Sequence, residues 1–152
     1  MRIHSIATVV LLCLAGLVVP ATSASASTGG GCSLSAWTGT GQAQYKVKAC
    51  AQNGGWARIN SDAYIYFSAA NPGLWTNCSM YMALIDLTTK SKVVDKSIDC
   101  TLAARENKWG ENYSINVWPT SGHSYETQIK VTAYYEGRYT GYTYQWSPTI
   151  TW

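Results

Sequence analysis

The chain has 152 residues, with 11 lysines and arginines against 8 acidic residues, a net charge of +3 at neutral pH. That length holds a single domain once a leader is set aside, which excludes a multidomain assembly within the chain. The basic residues are scattered singly, so the continuous positive stripe that nucleic-acid binding requires is missing from the sequence.

Residues 1–26 read as a secretory signal peptide. Arg2 and His4 give a basic start, residues 6–19 form a nearly unbroken apolar run, and Pro20 ends it. Ala24-Ser25-Ala26 then places small residues where a signal peptidase reads, with cleavage expected after Ala26 and Ala24 as the alternative. The apolar run is about 14 residues, short of the roughly 20 that a membrane-spanning helix needs, so membrane insertion is not expected. Export sets the reading of the cysteines. Cys32, Cys50, Cys78 and Cys100 lie beyond the leader, an even number that points to two disulfides. A zinc site is the rival, but no pair has close ligand spacing and His123 is the one histidine outside the leader, so no metal and no cofactor are expected.

Residues 27–31, Ser27-Thr28-Gly29-Gly30-Gly31, are small and polar and predict a flexible amino-terminal arm. From residue 32 to 152 the dominant period is two. Residues 43–51 alternate Ala43, Tyr45, Val47, Ala49 and Ala51 against Gln44, Lys46 and Lys48. Asn53-Gly54-Gly55 is a turn, and residues 56–67 alternate again with Ala57, Ile59, Ala63, Ile65 and Phe67 on one face. Matching the faces selects a three-residue loop, which sets Ala49 opposite Ile59 and Lys46 opposite Asp62.

After Asn71-Pro72-Gly73, residues 78–87 and 92–100 predict a second hairpin centred on Thr89. Leu84 then meets Val94, Met80 meets Ile98 and Asp86 meets Lys92, and the same register sets Cys78 opposite Cys100. Strand pairing thus favours the sequential bridges Cys32–Cys50 and Cys78–Cys100 among the three possible connectivities. Lys96 opposite Met82 marks a candidate sheet edge. Residues 101–109 predict one short helix ended by Gly110, and residues 113–118 a strand stopped by Pro119.

Residues 125–135 and 139–146 predict the last hairpin. A two-residue turn, Glu136-Gly137 or Gly137-Arg138, puts Ile129, Val131 and Ala133 on the same side as Tyr142, Tyr144 and Trp146. That parity assigns these three rings to the core and leaves Tyr134 and Tyr139 on the opposite face. The whole predicts an all-β, antiparallel two-sheet β-sandwich of seven or eight strands, Ig-like or Greek-key, with an open barrel second.

Chemistry is thin along the chain. His123 sits in a Ser-Gly-His-Ser turn and reads as an exposed loop residue; Asp95 and Asp99 share a solvent-facing side of one strand; Glu106 and Glu111 flank the predicted helix. Phosphate-binding and nucleotide motifs are missing, so catalysis is not expected. Asn77-Cys-Ser and Asn112-Tyr-Ser match the short N-glycosylation pattern. Binding remains, because tryptophan and tyrosine supply large, stiff contact area at low entropic cost. The candidate contact residues are the arm Ser27, Thr28, Gly29, Gly30 and Gly31, together with Trp75, Trp109, Trp118, Tyr134 and Tyr139; Trp37 also falls near a loop. The expected partner is another secreted protein, through an adaptor role or an inhibitor loop at residues 69–75. A glycan is the alternative, for which several of these rings would share one face beside Asn, Gln or Asp. A membrane-active toxin is a third reading, weakened by the small net charge.

The leader LLCLAGLVVPATSASAS, the two expected disulfides and the Tyr/Thr/Trp-rich body resemble small secreted proteins of actinobacteria. Within that group, the size and the glycine-rich arm are similar to the adaptor subunit of umbrella toxin particles, which joins a repeat-bearing stalk protein to lectin-bearing subunits. The resemblance covers the general plan of the chain and no diagnostic motif. It implies an adaptor in a secreted toxin complex and transfers no functional residue.

Overall fold

The structure, a computed structural model, describes residues 27–152; the expected leader, residues 1–26, lies outside the described residues. Two antiparallel sheets face each other. One contains β4 (Ala43–Asn53) and β5 (Ile59–Ala69) at its centre, with β2 (Gly31–Leu34) and β3 (Thr38–Thr40) both pairing with β4 and β8 (Trp109–Val117) pairing with β5. The other runs β1 (Thr28–Gly29), β11 (Ile150–Thr151), β9 (Ser124–Tyr135), β6 (Trp75–Asp86), β7 (Ser91–Asp99), with β10 (Arg138–Trp146) also on β9. We call them the β4–β5 sheet and the β9–β6 sheet. No helix of the described residues is long and apolar enough to cross a membrane.

Alternation buries what the period-two pattern predicts. Tyr45, Val47, Ala49, Ala63, Ile65 and Phe67 face Met80, Met82, Ile129, Val131 and Ala133 across the main core. A smaller cluster, Ala51, Ile59, Leu84, Tyr125 and Ile150, closes the other end. Between the two lies a polar rung. Thr127 Oγ1 donates to the Cys50 carbonyl at 2.6 Å, which leaves Ser61 Oγ, 2.8 Å away, to donate to Thr127. All three residues are buried, so each hydroxyl in this rung is satisfied inside the sandwich.

Both disulfides form as the strand pairing predicts, Cys32–Cys50 between β2 and β4 and Cys78–Cys100 between β6 and the residue after β7. Closing loops of 18 and 22 residues, each restricts the unfolded chain by roughly 3 kcal/mol. β7 is an edge strand, and Lys96 lies opposite Met82 there.

Four local expectations are corrected. The first hairpin keeps its faces but pairs Ala49 with Ala63 and Asn53 with Ile59, because the loop has five residues, 54–58, so Trp56 and Ala57 are loop and not strand. In the second, Met80–Ile98 and Leu84–Val94 pair as expected, but an extra residue at Val93 sets Asp86 opposite Ser91. The helix α1 spans only Thr101–Arg105; Trp109 and Gly110 belong to β8.

The fourth concerns the arm. Thr28 and Gly29 pair with Thr151 and Ile150, and the Gly30 amide donates to the Thr149 carbonyl at 2.7 Å. Glycine permits this docking. Residues 29–31 all have positive φ, and a Cβ on Gly30 would come within 2.7 Å of the Ala51 carbonyl oxygen. The arm predicted to be flexible is instead a short paired strand that crosses from one sheet to the other.

Candidate functional site

The predicted contact residues do not form one site. Trp75 is fully buried, edge-on to Phe67 at 5.5 Å and to Tyr135 at 5.3 Å, which removes it from any surface and leaves the inhibitor loop at residues 69–75 without its ring. The cause is a bulge: Trp75 pairs with Tyr135 and Asn77 with Tyr134, so Thr76 is an extra residue that turns Trp75 to the same side as Cys78. Its indole N–H has no hydrogen-bond partner among the described residues. Thr28 and Gly29 are exposed, and Ser27, Gly30 and Gly31 half-buried.

A second bulge reverses the last hairpin. The turn is Glu136-Gly137, as predicted, and Tyr134 faces Tyr139; but Gly141 then faces Ala133, leaving Thr140 as the extra residue. Beyond it, Tyr142 lies opposite Thr132, Tyr144 opposite Lys130 and Trp146 opposite Gln128. These three rings are therefore exposed and not core, Tyr142 at 60%. The inward positions are Gly141, Thr143 and Gln145, which meet the other sheet through Thr143–Thr38 and Gln145–Ser33 hydrogen bonds. Space at Gly141 is tight, since a Cβ there would approach Thr38 Cγ2 to 2.9 Å. The buried Tyr45 hydroxyl backs this bulge, 3.0 Å from the Gly141 carbonyl and 3.2 Å from that of Val131; burial raises its pKa to about 12.

The result is a band of five rings on the outer side of the β9–β6 sheet. Tyr134 and Tyr139 lie 5.5 Å apart, Tyr142 and Tyr144 meet edge-on at 6.1 Å, and Trp146 ends the row. From Tyr139 to Trp146 the band runs about 20 Å at strand rise. Lys130 sits 5.7 Å from the Tyr144 ring centre.

The outer side of the β4–β5 sheet holds other rings. Gly110, with φ +80, is a bulge residue that turns Trp109 outward beside Tyr66. Trp37, Tyr66 and Trp109 surround the Lys46 ammonium at 4.6, 5.4 and 5.2 Å from the ring centres. Lys48 lies 4.1 Å from the centre of Tyr64, and Asp62 accepts bonds from Gln52 and Ser114. At the far end of β8, Trp118 stands with Trp56, Arg58, Asn60 and Asn116 around an open depression of about 380 Å³. Sequence reading placed Trp118 at a surface correctly and missed Trp56, although an aromatic directly after Gly54-Gly55 is the mark of a presented loop tip.

His123 is half-buried rather than an exposed loop residue: Nδ1 lies 2.7 Å from Asp86 Oδ2 and the ring stacks on Tyr125. Burial pushes the Asp86 carboxyl up, but bonds from His123, Thr89 and Thr88 outweigh it and hold the pKa below its usual value. The pair ties the β6–β7 turn to the start of β9. Asp95, Asp99 and Glu106 are exposed. Among the described residues no three His, Cys, Asp or Glu side chains come together as metal ligands.

These observations define an all-β, two-sheet domain with two disulfides and exposed rings on both outer faces. The chain matches no protein-family model, and no curated protein is detectably similar to it in sequence.

Proposed function

We propose that the protein is a secreted, non-catalytic protein-binding module, an adaptor or assembly subunit of the kind the umbrella-particle resemblance implies, and that it binds through the ring band of β10. The observation that carries this reading is the orientation of Tyr139, Tyr142, Tyr144 and Trp146. A bulge turns Tyr142, Tyr144 and Trp146 to the solvent side that Tyr139 already faces, while small and polar residues of the same strand fill the seam behind them. Rings contribute most to folding when buried, so a strand that exposes four of them presents an apolar patch suited to a partner. Tyrosine and tryptophan dominate protein hot spots, and Lys130 and Arg138 supply the charged rim such a surface carries. The two disulfides support an oxidising, extracellular location.

The test compares residues 27–152 with the Tyr142→Ser/Tyr144→Ser double variant. Both serve as bait in native culture supernatant of the producing organism, and the captured protein is then titrated against each. A defined partner should bind the parent stoichiometrically and the double variant at least about 30-fold more weakly, with folding stability unchanged within about 0.5 kcal/mol. Equal affinity of the two forms would reject the band as the interface.

A further inference from the structure

The depression beside Trp118 lies on the opposite outer face, in a different sheet from the ring band. Its floor is a cross-strand pair: Asn60 on β5 lies directly opposite Asn116 on β8. Neither carboxamide hydrogen-bonds to another described residue, although Asn60 is half-buried. Asn60 packs so closely under the loop that a Cβ on Gly54 would fall 2.0 Å from its Oδ1. One wall is Trp118, set at the end of β8 by the Pro119 that follows. Arg58 covers one side of that indole at 4.5 Å, and the ring is still 64% exposed.

The other wall is Trp56, and its placement is the informative feature. Gly55, Trp56 and Ala57 are three consecutive residues at φ +72, +50 and +57. Left-handed backbone crowds a residue that bears a Cβ, and glycine escapes most of that cost. Trp56 is 92% exposed, so packing returns almost nothing for it. The loop is nonetheless well defined, with Gly54 N–H donating to the Arg58 carbonyl at 2.8 Å, Arg58 N–H to the Gly55 carbonyl at 3.0 Å and Gly55 N–H to Asn53 Oδ1 at 2.9 Å. A strained backbone that holds a bare indole over two unpartnered carboxamides is costly to folding and useful to a ligand.

We propose that this depression binds a neutral, gluco-configured pyranose within a β-linked oligosaccharide. Two indoles offer flat apolar surface for the C–H face that an all-equatorial ring presents. Each carboxamide offers a donor and an acceptor side by side, which suits adjacent hydroxyls. About 380 Å³ lies within the range of small-ligand sites, and the openness of the depression suits an internal sugar of a chain. Among the described residues no acidic side chain lines it and Arg58 is its one cation, which disfavours a cationic ligand. The Trp37–Tyr66–Trp109 cluster lacks this character, because Lys46 already occupies it.

The site is independent of the β10 band, and its test separates the two. Residues 27–152 are titrated with cellotetraose, chitotetraose and, as an α-linked control, maltotetraose, read by tryptophan fluorescence and calorimetry. Saturable binding of a β-linked tetrasaccharide and not of maltotetraose is expected. Trp56→Ala and Trp118→Ala should each weaken it about tenfold or more, and Asn116→Ala several-fold. Trp56→Gly, which relieves the backbone, should lose binding while gaining stability, so loss of affinity cannot be read as unfolding. Tyr142→Ser/Tyr144→Ser should bind sugar unchanged. No saturation by either β-linked sugar at about 10 mM, or binding that survives Trp56→Ala, would overturn the proposal.

Discussion

On the outer side of the β4–β5 sheet, three rings close around the Lys46 ammonium and a fourth lies against Lys48. On the outer side of the β9–β6 sheet, five rings stand along β10 and its neighbour, with Lys130 near one of them. Exposure by itself separates these faces poorly, since Trp109 at 67% is more open than Tyr142 at 60%. What separates them is whether the ring's best partner is already inside the chain. A cation held over an aromatic face is worth roughly 0.5–1 kcal/mol at an exposed site, and a ring pair about as much, so the Lys46 cluster is a stabilising surface staple. The β10 band has ring-to-ring contacts but little else to lose by meeting a partner. Trp118 falls between the two, with Arg58 on one side and the other side open.

The sharpest way to test this contrast is to remove rings from each environment. Trp75→Ala should cost about 3–5 kcal/mol in urea unfolding, because it empties the main core, and it would show that a ring expected at a loop surface is structural. The second test is pH. Tyr45 has its pKa raised from 10.0 to about 12, so its protonated form is favoured by folding. The stability it contributes is complete below pH 10 and is lost as the pH rises from there through about 12. Its hydroxyl donates behind the Gly141 bulge, so Tyr45→Phe should remove this alkaline loss of stability. Next, Trp109→Ala should lower stability by about 1–2 kcal/mol while leaving partner affinity intact, the reverse of Tyr142→Ser/Tyr144→Ser. A Trp109 variant of unchanged stability would erase the distinction between the faces. The smallest effect is a gain: Ala57→Gly should stabilise the fold by about 1 kcal/mol, measured as a higher urea midpoint at constant slope.

Much of the architecture was legible in the residues. Alternation in residues 43–51 and 125–133 identified the buried faces, and the opposition of Cys78 and Cys100 followed from the same register that paired Leu84 with Val94. The candidate surfaces were legible in part. Tyr134, Tyr139, Trp109 and Trp118 lie outside, as expected. Trp75, expected at a loop surface, is core, and Tyr142, Tyr144 and Trp146, expected inward, face solvent through a one-residue slip in strand parity. A bulge underlies each miss, and the two flank the same point of β9: Thr76 bulges against Tyr134 and Tyr135 on one side, and Thr140 against Tyr134 and Ala133 on the other.

The sequence by itself determined that this chain makes two layers of antiparallel strands held by two cystines, because period-two patterning and turn residues are local properties. Only the tertiary structure decided which rings meet solvent. A bulge is a negotiation between neighbouring strands, and a single extra residue reverses the facing of every side chain beyond it until another restores the parity. Thr140 carries no local mark of that role; it follows from Gly141 fitting against Thr38 and from Tyr45 reaching the carbonyl behind it.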